Sequence, residues 1–344
     1  MTTTLANPIL SSGGLDSSSE ASVNSTSPFQ DSTHRKNWIF SKDQLIEIRN
    51  KSLEKVKEQI LQLQEKYTEK LSANDLLSPE EESLIVLKYS EMLLEISTQL
   101  KYPLHVKATA LTYLKRFYLK HSIMEYDIVF MMLTCIFLAT KTEEKFVALA
   151  QFLENVNAIT SGAGTLTSQF IFKNELILLQ GLDFNLMVYH PYRSLYAYAH
   201  DLHDMYGNDA DTLYEGAQQK ITDLIKSTDA IFLYIPPVIA LASLYIVNAD
   251  VAKNFISKKF PTQEAQLLRQ VEEIKTIYLS STLEKSKIKS AEKKLKKIRK
   301  ILKPQLEELE ERYLTQIAEE QRVKREDKYR KRDLQQQLEQ KQFL

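Results

Sequence analysis

Apolar residues recur at helical spacing along most of the chain. Trp38 and Phe40 are followed by Ser41, a fitting N-cap, and by a helical pattern to about Lys66. Residues 67–77 read as a connector. Ser78-Pro79-Glu80-Glu81 then combines a cap, a proline at the first helical position and the glutamate of a capping box. Leu84, Leu87, Glu91 and Leu94 follow on one face, widened by Ile85, Met92 and Ile96. A second helix is predicted over Pro103–Lys120, carrying Ala108, Leu111, Leu114 and Phe117. A third, from about Tyr126 to Lys141, is apolar on every side, which places it at the centre of a bundle. A short fourth covers about Phe146–Glu154. After the loop "TSGAGTLTS" a fifth runs from about Ser168 to Gln180, with Gly181 predicted as its C-cap.

The pattern then returns. The run from Tyr126 lies over the run from Tyr234, with Leu133 on Leu241, Cys135 on Ser243, Ile136 on Leu244 and Phe137 on Tyr245. One duplication at so long a period indicates two similar domains rather than a solenoid. The predicted class is all-α. Residues 78–182 and 183–281 are expected to form the two similar domains, with 34–77 holding an N-terminal helix and its connector. Residues 1–33, rich in Ser and Thr, are expected to be disordered. The last segment, 282–344, is a charged helix or tail. Its thin apolar stripe, Ala291, Leu295, Ile298 and Leu302, predicts a solvated helix or one that pairs with a partner, broken near Pro304.

Composition narrows the function. Lys plus Arg and Asp plus Glu both number 45, so no global field recruits nucleic acid or an anionic membrane. The single cysteine, Cys135, precludes an internal disulfide and fits a reducing compartment. No signal-peptide pattern or membrane-length apolar run is visible, so a soluble intracellular protein is expected.

Few residues offer chemistry. Cys135 sits among Leu133, Ile136 and Phe137 and reads as a small core hydrophobe. His200, His203 and Asp204 share a helix face but have no distant third ligand, and a solvated helix end is the stronger reading. Gly162-Ala163-Gly164 has no phosphate-loop context. Ser27-Pro28 is open to phosphorylation, whereas Ser78 is accounted for as a cap. The basic run 285–303 lacks aromatic residues and is followed at once by acids, against a nucleic-acid site.

Lys141 is different. It ends the central helix, yet Glu143 and Glu144 follow it, and the second copy has Ala249 in its place. The fold therefore does not require it. Glu175 interrupts the apolar fifth helix and is costly there unless paired. If the third and fifth helices pack side by side, both charges emerge on one surface, a donor and an acceptor for a docked helix.

These features together resemble the cyclin box. The resemblance is carried by "YLKRFYLKHSIMEYDIVFMMLTCIFLATKTEE" (113–144), "LDFNLMVYHPYRSLYAYAHDL" (182–202), "TDAIFLYIPPVIALASL" (228–244) and "RKNWIFS" (35–41). It covers about Arg35 to Leu302 and is strongest to the cyclins of the CDK-activating kinase. It implies two tandem five-helix bundles with additional terminal helices. It implies that Lys141 and Glu175 contact the mobile helix of a cyclin-dependent kinase, on a surface expected to include Phe137, Thr140, Glu144 and Leu178. It further implies a non-catalytic regulatory subunit, without cofactor or metal, in the nucleus. The implied partners are the kinase, a RING-containing assembly factor and the TFIIH core, with no membrane or direct nucleic-acid partner. The kinase would act in cell-cycle control and on the C-terminal repeat of RNA polymerase II. The text after the lysine, "TEEKF", departs slightly from many cyclins, and no hydrophobic-patch motif is visible in the first helix. The alternatives are another transcription-associated cyclin and a DNA-binding general transcription factor with the same doubled fold.

Overall fold

The computed structural model describes residues 28–63, 72, 75–159, 167–281 and 286–301, with isolated helical positions at 315, 319, 322, 326 and 330. The expectations for residues 1–27, the end of the first long helix, most of the connector, the Gly-Ala-Gly loop and the tail beyond 301 lie outside the described residues. Within them every regular element is a helix.

Helices α1 (Thr33–Trp38) and α2 (Lys42–Leu63) precede the first bundle. That bundle comprises α3 (Pro79–Gln99), α4 (Leu104–Lys120), α5 (Ile128–Thr142), α6 (Leu149–Ile159) and α7 (Ser168–Gly181). Ser78 and Glu81 form the predicted capping box at α3. Asp127 caps α5 by accepting from the Val129 and Phe130 amides, so that helix begins two residues later than its apolar pattern. As expected, α5 is the core: Met131 through Thr140 are all buried, against α3, α4 and α7.

The second bundle repeats the plan with α8 (Pro191–Tyr206), α9 (Asp209–Ser227), the single turn α10 (Ala230–Leu233), α11 (Pro236–Val247), α12 (Ala249–Lys259) and α13 (Glu264–Ser280). Its central helix is α11, against α8, α9, α12 and α13. The N-terminal helices tie the bundles together. Arg49 of α2 donates both guanidinium arms to Asp229 at 2.7 Å. The Phe40 amide donates to the Phe232 carbonyl at 2.7 Å. From α4, the buried Lys115 ammonium donates to the Ile225 and Thr228 carbonyls. A buried cation is tolerable there because backbone oxygens replace its water and the Asp229 carboxylate stands nearby.

Two expectations are corrected. Gly181 does not cap α7 in a left-handed turn; that conformation falls to Asp183 and Phe184. A Cβ at Gly181 would lie 2.6 Å from two ring carbons of Phe117 and 3.0 Å from His121 Nε2. The glycine is there so that α7 can lie against α4. The described part of the charged C-terminal segment, 286–301, is also not a solvated helix. Residues 286–301 form α14, which buries Ile288 and seats Ala291, Leu295 and Ile298 in the chain's own core. Its charges meet the first bundle and its approach: Lys294 pairs with Glu81 at 2.9 Å, Lys297 with Asp75 at 3.1 Å and Glu292 with Lys88 at 2.5 Å. Arg299 binds the Asp127 carboxylate and donates to the Ile123 and Tyr126 carbonyls.

Candidate functional site

The C-terminal end of α5 and the middle of α7 meet, as the pairing argument requires. Lys141 Nζ lies 2.5 Å from Glu175 Oε1, with the lysine side chain 41% exposed and the glutamate 14%. The pair answers why an acid interrupts an apolar helix: Lys141 neutralises it. The same ammonium stands 4.5 Å from the centroid of the Phe137 ring. That contact adds about 0.5–1 kcal/mol at a partly exposed position. Phe137 in turn leans on Phe152 at 5.2 Å, which fixes the platform under the lysine.

The two acids after Lys141 have separate roles. Glu143 turns inward: Thr109 Oγ1 donates to its carboxylate at 2.6 Å, and His190 Nε2 lies 2.7 Å from the same hydroxyl. Since the hydroxyl proton is spent on Glu143, the imidazole donates to Thr109. Burial, with the nearby Arg116 cation, lowers His190 to about 3, so it donates as the neutral Nε2–H tautomer. Glu144 stays at the surface, with its backbone in the left-handed region at φ 57°.

Of the six residues expected on the kinase-contacting surface, three are exposed or partly so: Lys141, Glu175 and Glu144. Phe137, Thr140 and Leu178 are buried. Thr140 donates its hydroxyl to the Phe137 carbonyl, and Leu178 packs in the core one turn after Glu175. Both lie behind the exposed pair, Thr140 on the inward side of the last turn of α5 and Leu178 on the inward side of α7. Sequence reasoning missed two exposed aromatics on the elements that carry the pair: Phe146, 82% exposed and five residues after Lys141, and Phe172, 59% exposed one turn before Glu175. The signal for Phe172 was its offset from buried Ile171. The periodicity places Phe146 in the fourth helix, but that helix begins only at Leu149. Phe170, on the other side of α7, stacks on Phe130 at 4.8 Å.

The remaining chemistry recedes. Cys135 is fully buried, and burial pushes its thiol well up, away from thiolate chemistry. His200 packs edge-on against Tyr196 at 5.0 Å, and among the described residues no group of three or more His, Cys, Asp or Glu is placed to hold a metal. No described helix is long and apolar enough to cross a membrane.

Two tandem helical bundles, each built around a buried apolar central helix, define a doubled all-helical fold. The family model described as cyclin, N-terminal domain, matches residues 48–187, and cyclin C-terminal domain matches 190–304. Putative cyclin-H of Dictyostelium discoideum is 34% identical over 226 residues, 63% of this chain and 74% of that protein. Cyclin mcs2 of Schizosaccharomyces pombe is 32% identical over 248 residues, 69% of this chain and 75% of that one. Among solved structures, a chain of the CAK complex from Chaetomium thermophilum bound to ATP-gamma-S aligns with a TM-score of 0.67 and 27% identity, over 78% of this chain and 88% of that chain. A chain of the yeast TFIIK (Kin28/Ccl1/Tfb3) complex aligns with a TM-score of 0.60 and 28% identity, over 72% and 99%. The chain belongs to the cyclin family, and cyclin-H proteins are among its relatives.

Proposed function

We propose that this chain is a cyclin H-type regulatory subunit, which binds and activates the catalytic subunit of a CDK-activating kinase. The observation that carries the reading is the Lys141–Glu175 pair, held at the joint of α5 and α7, with Phe172 exposed one turn before Glu175 and Phe146 exposed shortly after Lys141. The relatives support it: one is a putative cyclin-H, another a cyclin, and the aligned structures are chains of a CAK complex and of a TFIIK complex.

The chain contributes no reacting group. A kinase is competent when the glutamate of its mobile helix reaches the lysine that holds the nucleotide phosphates. A cyclin surface that binds the competent position of that helix more tightly than the other shifts the population toward it. Here Phe146 and Phe172 supply the apolar area. Lys141 and Glu175 supply register, since each can turn from its partner to a backbone oxygen or amide of the docked helix. A RING-containing assembly factor and the TFIIH core complete the complex, which works in the nucleus on cell-cycle kinases and on the RNA polymerase II C-terminal repeat.

Purification of the tagged chain from nuclear extract tests this. The expected co-purifying enzyme phosphorylates the activation loop of another cyclin-dependent kinase and the polymerase repeat. Recovery with a kinase that modifies neither, or with promoter DNA alone, overturns it.

A further inference from the structure

A cleft of about 840 Å³ opens where the bundles and the N-terminal segment meet. Its walls are Phe29, Gln30 and Arg35 near α1, Leu104 and His105 at the start of α4, the linker 187–190, Tyr192–Ser194 of α8 and Ile235–Pro237 at the start of α11. None of these residues belongs to α5 or α7, so the cleft is separate from the kinase-docking surface.

Its lining is apolar and positive. Tyr189, Tyr192, Ile235 and Pro236 give ring and aliphatic faces, and Met187 is 58% exposed. The lining holds no carboxylate. Arg35 and Arg193 are exposed, and neither pairs with an acid among the described residues. Behind the wall lies a third guanidinium. Arg116 lines a small cavity that shares Val188, Tyr189, His190 and Pro236 with the cleft. It is 1% exposed, stacks over Trp38 at 4.7 Å and donates from Nη1 to the Asn185 carbonyl at 3.2 Å. Its Nη2 meets no acceptor among the described residues, and no described carboxylate pairs with it. A buried, unneutralised cation behind a cleft rimmed by two more produces a positive field focused into a low-dielectric groove.

We propose that this cleft docks an acidic, leucine-type linear segment of a partner protein other than the kinase. The segment's aliphatic side chains cover Tyr189, Tyr192, Ile235 and Pro236, and its carboxylates meet Arg35 and Arg193. A free inorganic anion would satisfy the guanidiniums but leave the ring faces wet. An apolar segment without acids would desolvate two arginines without repayment. Both properties are therefore required of the occupant.

The test uses the full chain and a short fluorescein-labelled peptide of alternating leucine and aspartate, followed by anisotropy. A leucine–lysine peptide of equal length and inorganic phosphate serve as the comparison probes. The leucine–aspartate peptide is expected to bind, and the comparison probes are not. Arg35→Glu with Arg193→Glu is expected to weaken binding about thirtyfold, from two rim pairs at the upper end of the exposed range. Thermal unfolding checks that the fold is retained. Met187→Glu, which leaves the arginines in place, is expected to weaken the same peptide. Glu175→Ala is expected to leave peptide binding unchanged, which separates this cleft from the kinase reading. The proposal is overturned if the charge-reversed chain binds equally well, or if phosphate competes fully. It is also overturned if only a chain lacking residues 1–27 binds, because the occupant is then its own N-terminal segment. Loss of a concentration-dependent dimer in the charge-reversed chain would assign the cleft to a second copy instead.

Discussion

Replacing Gly181 by alanine tests the packing that positions α7, and with it Glu175. The added Cβ would stand 2.6 Å from Phe117 Cδ2 and Cε2. That is about 1 Å inside ordinary carbon contact. Phe117 cannot easily yield: its ring stacks on His121 at 4.5 Å and meets Tyr118 and Tyr126 edge-on at 5.1 and 5.3 Å. Overpacking of this kind costs about 1–3 kcal/mol. The better helix propensity of alanine returns at most about 1 kcal/mol, less at a last turn. The net loss is about 1–2 kcal/mol, a fall in Tm of about 2–8 °C. A glycine needed only for a left-handed cap would cost a similar amount, so the single variant does not separate the explanations. A double-mutant cycle does. Phe117→Leu makes room for the methyl, and the pair should be less damaging than the sum of the singles by about 1 kcal/mol or more. Additive losses in thermal or urea unfolding, or a Gly181→Ala chain more stable than the parent, would refute the packing argument.

Other outcomes follow from the same contacts. Arg299→Ala removes the cation from Asp127, the cap of α5, and its donors from two carbonyls. Urea unfolding should show a loss of about 2–4 kcal/mol, whereas a free C-terminal helix would give almost none. His34 is buried, accepts the Tyr189 amide at Nδ1 at 3.0 Å, and is lowered to about 3 by burial first and then by Arg116 and His190. The unfolded chain takes up that proton below about 6.5 while the folded chain does not, so stability is lost as pH falls from about 6.5 toward 3. Between pH 7 and 5 the loss is about 2 kcal/mol from this site, and His34→Gln should flatten the slope of Tm against pH. Glu82 runs the other way. Burial raises it to about 7, so its cost appears as pH rises from about 4.5 to 7. Glu82→Gln should therefore help more at pH 8 than at pH 5.

Much of this arrangement was legible in the residues. The all-round apolar run after Asp127 could only be a central helix, and Ser78-Pro79-Glu80-Glu81 specified its own capping geometry. An acid inside the apolar α7 and a lysine dispensable in the second copy pointed to each other before any packing was known. What escaped was long-range. Gly181 serves a ring more than sixty residues earlier in the chain, and its local text reads equally well as a cap. The thin stripe of α14 reads as solvated, because nothing local reveals that Asp75, Glu81, Lys88 and Asp127 wait for its charges. Thr140 and Leu178 sit close in sequence to surface residues but on the inward side of their helices. Phe172 is exposed because α7 has one buried stripe and the aromatic falls outside it.

The central claim is that Lys141 and Glu175 direct a kinase helix rather than hold the cyclin together. In the free chain a pair this exposed is worth at most about 1 kcal/mol. At a docked helix two charge-assisted hydrogen bonds are worth about 1.5–3 kcal/mol each. The direct measurement is the concentration of cyclin needed for half-maximal activation of the purified kinase subunit, for the parent chain and for Lys141→Ala with Glu175→Ala. The account predicts a rise of about a hundredfold or more, with Tm lowered by only a few degrees. A folded double variant that activates the kinase at the parent's concentration would contradict it.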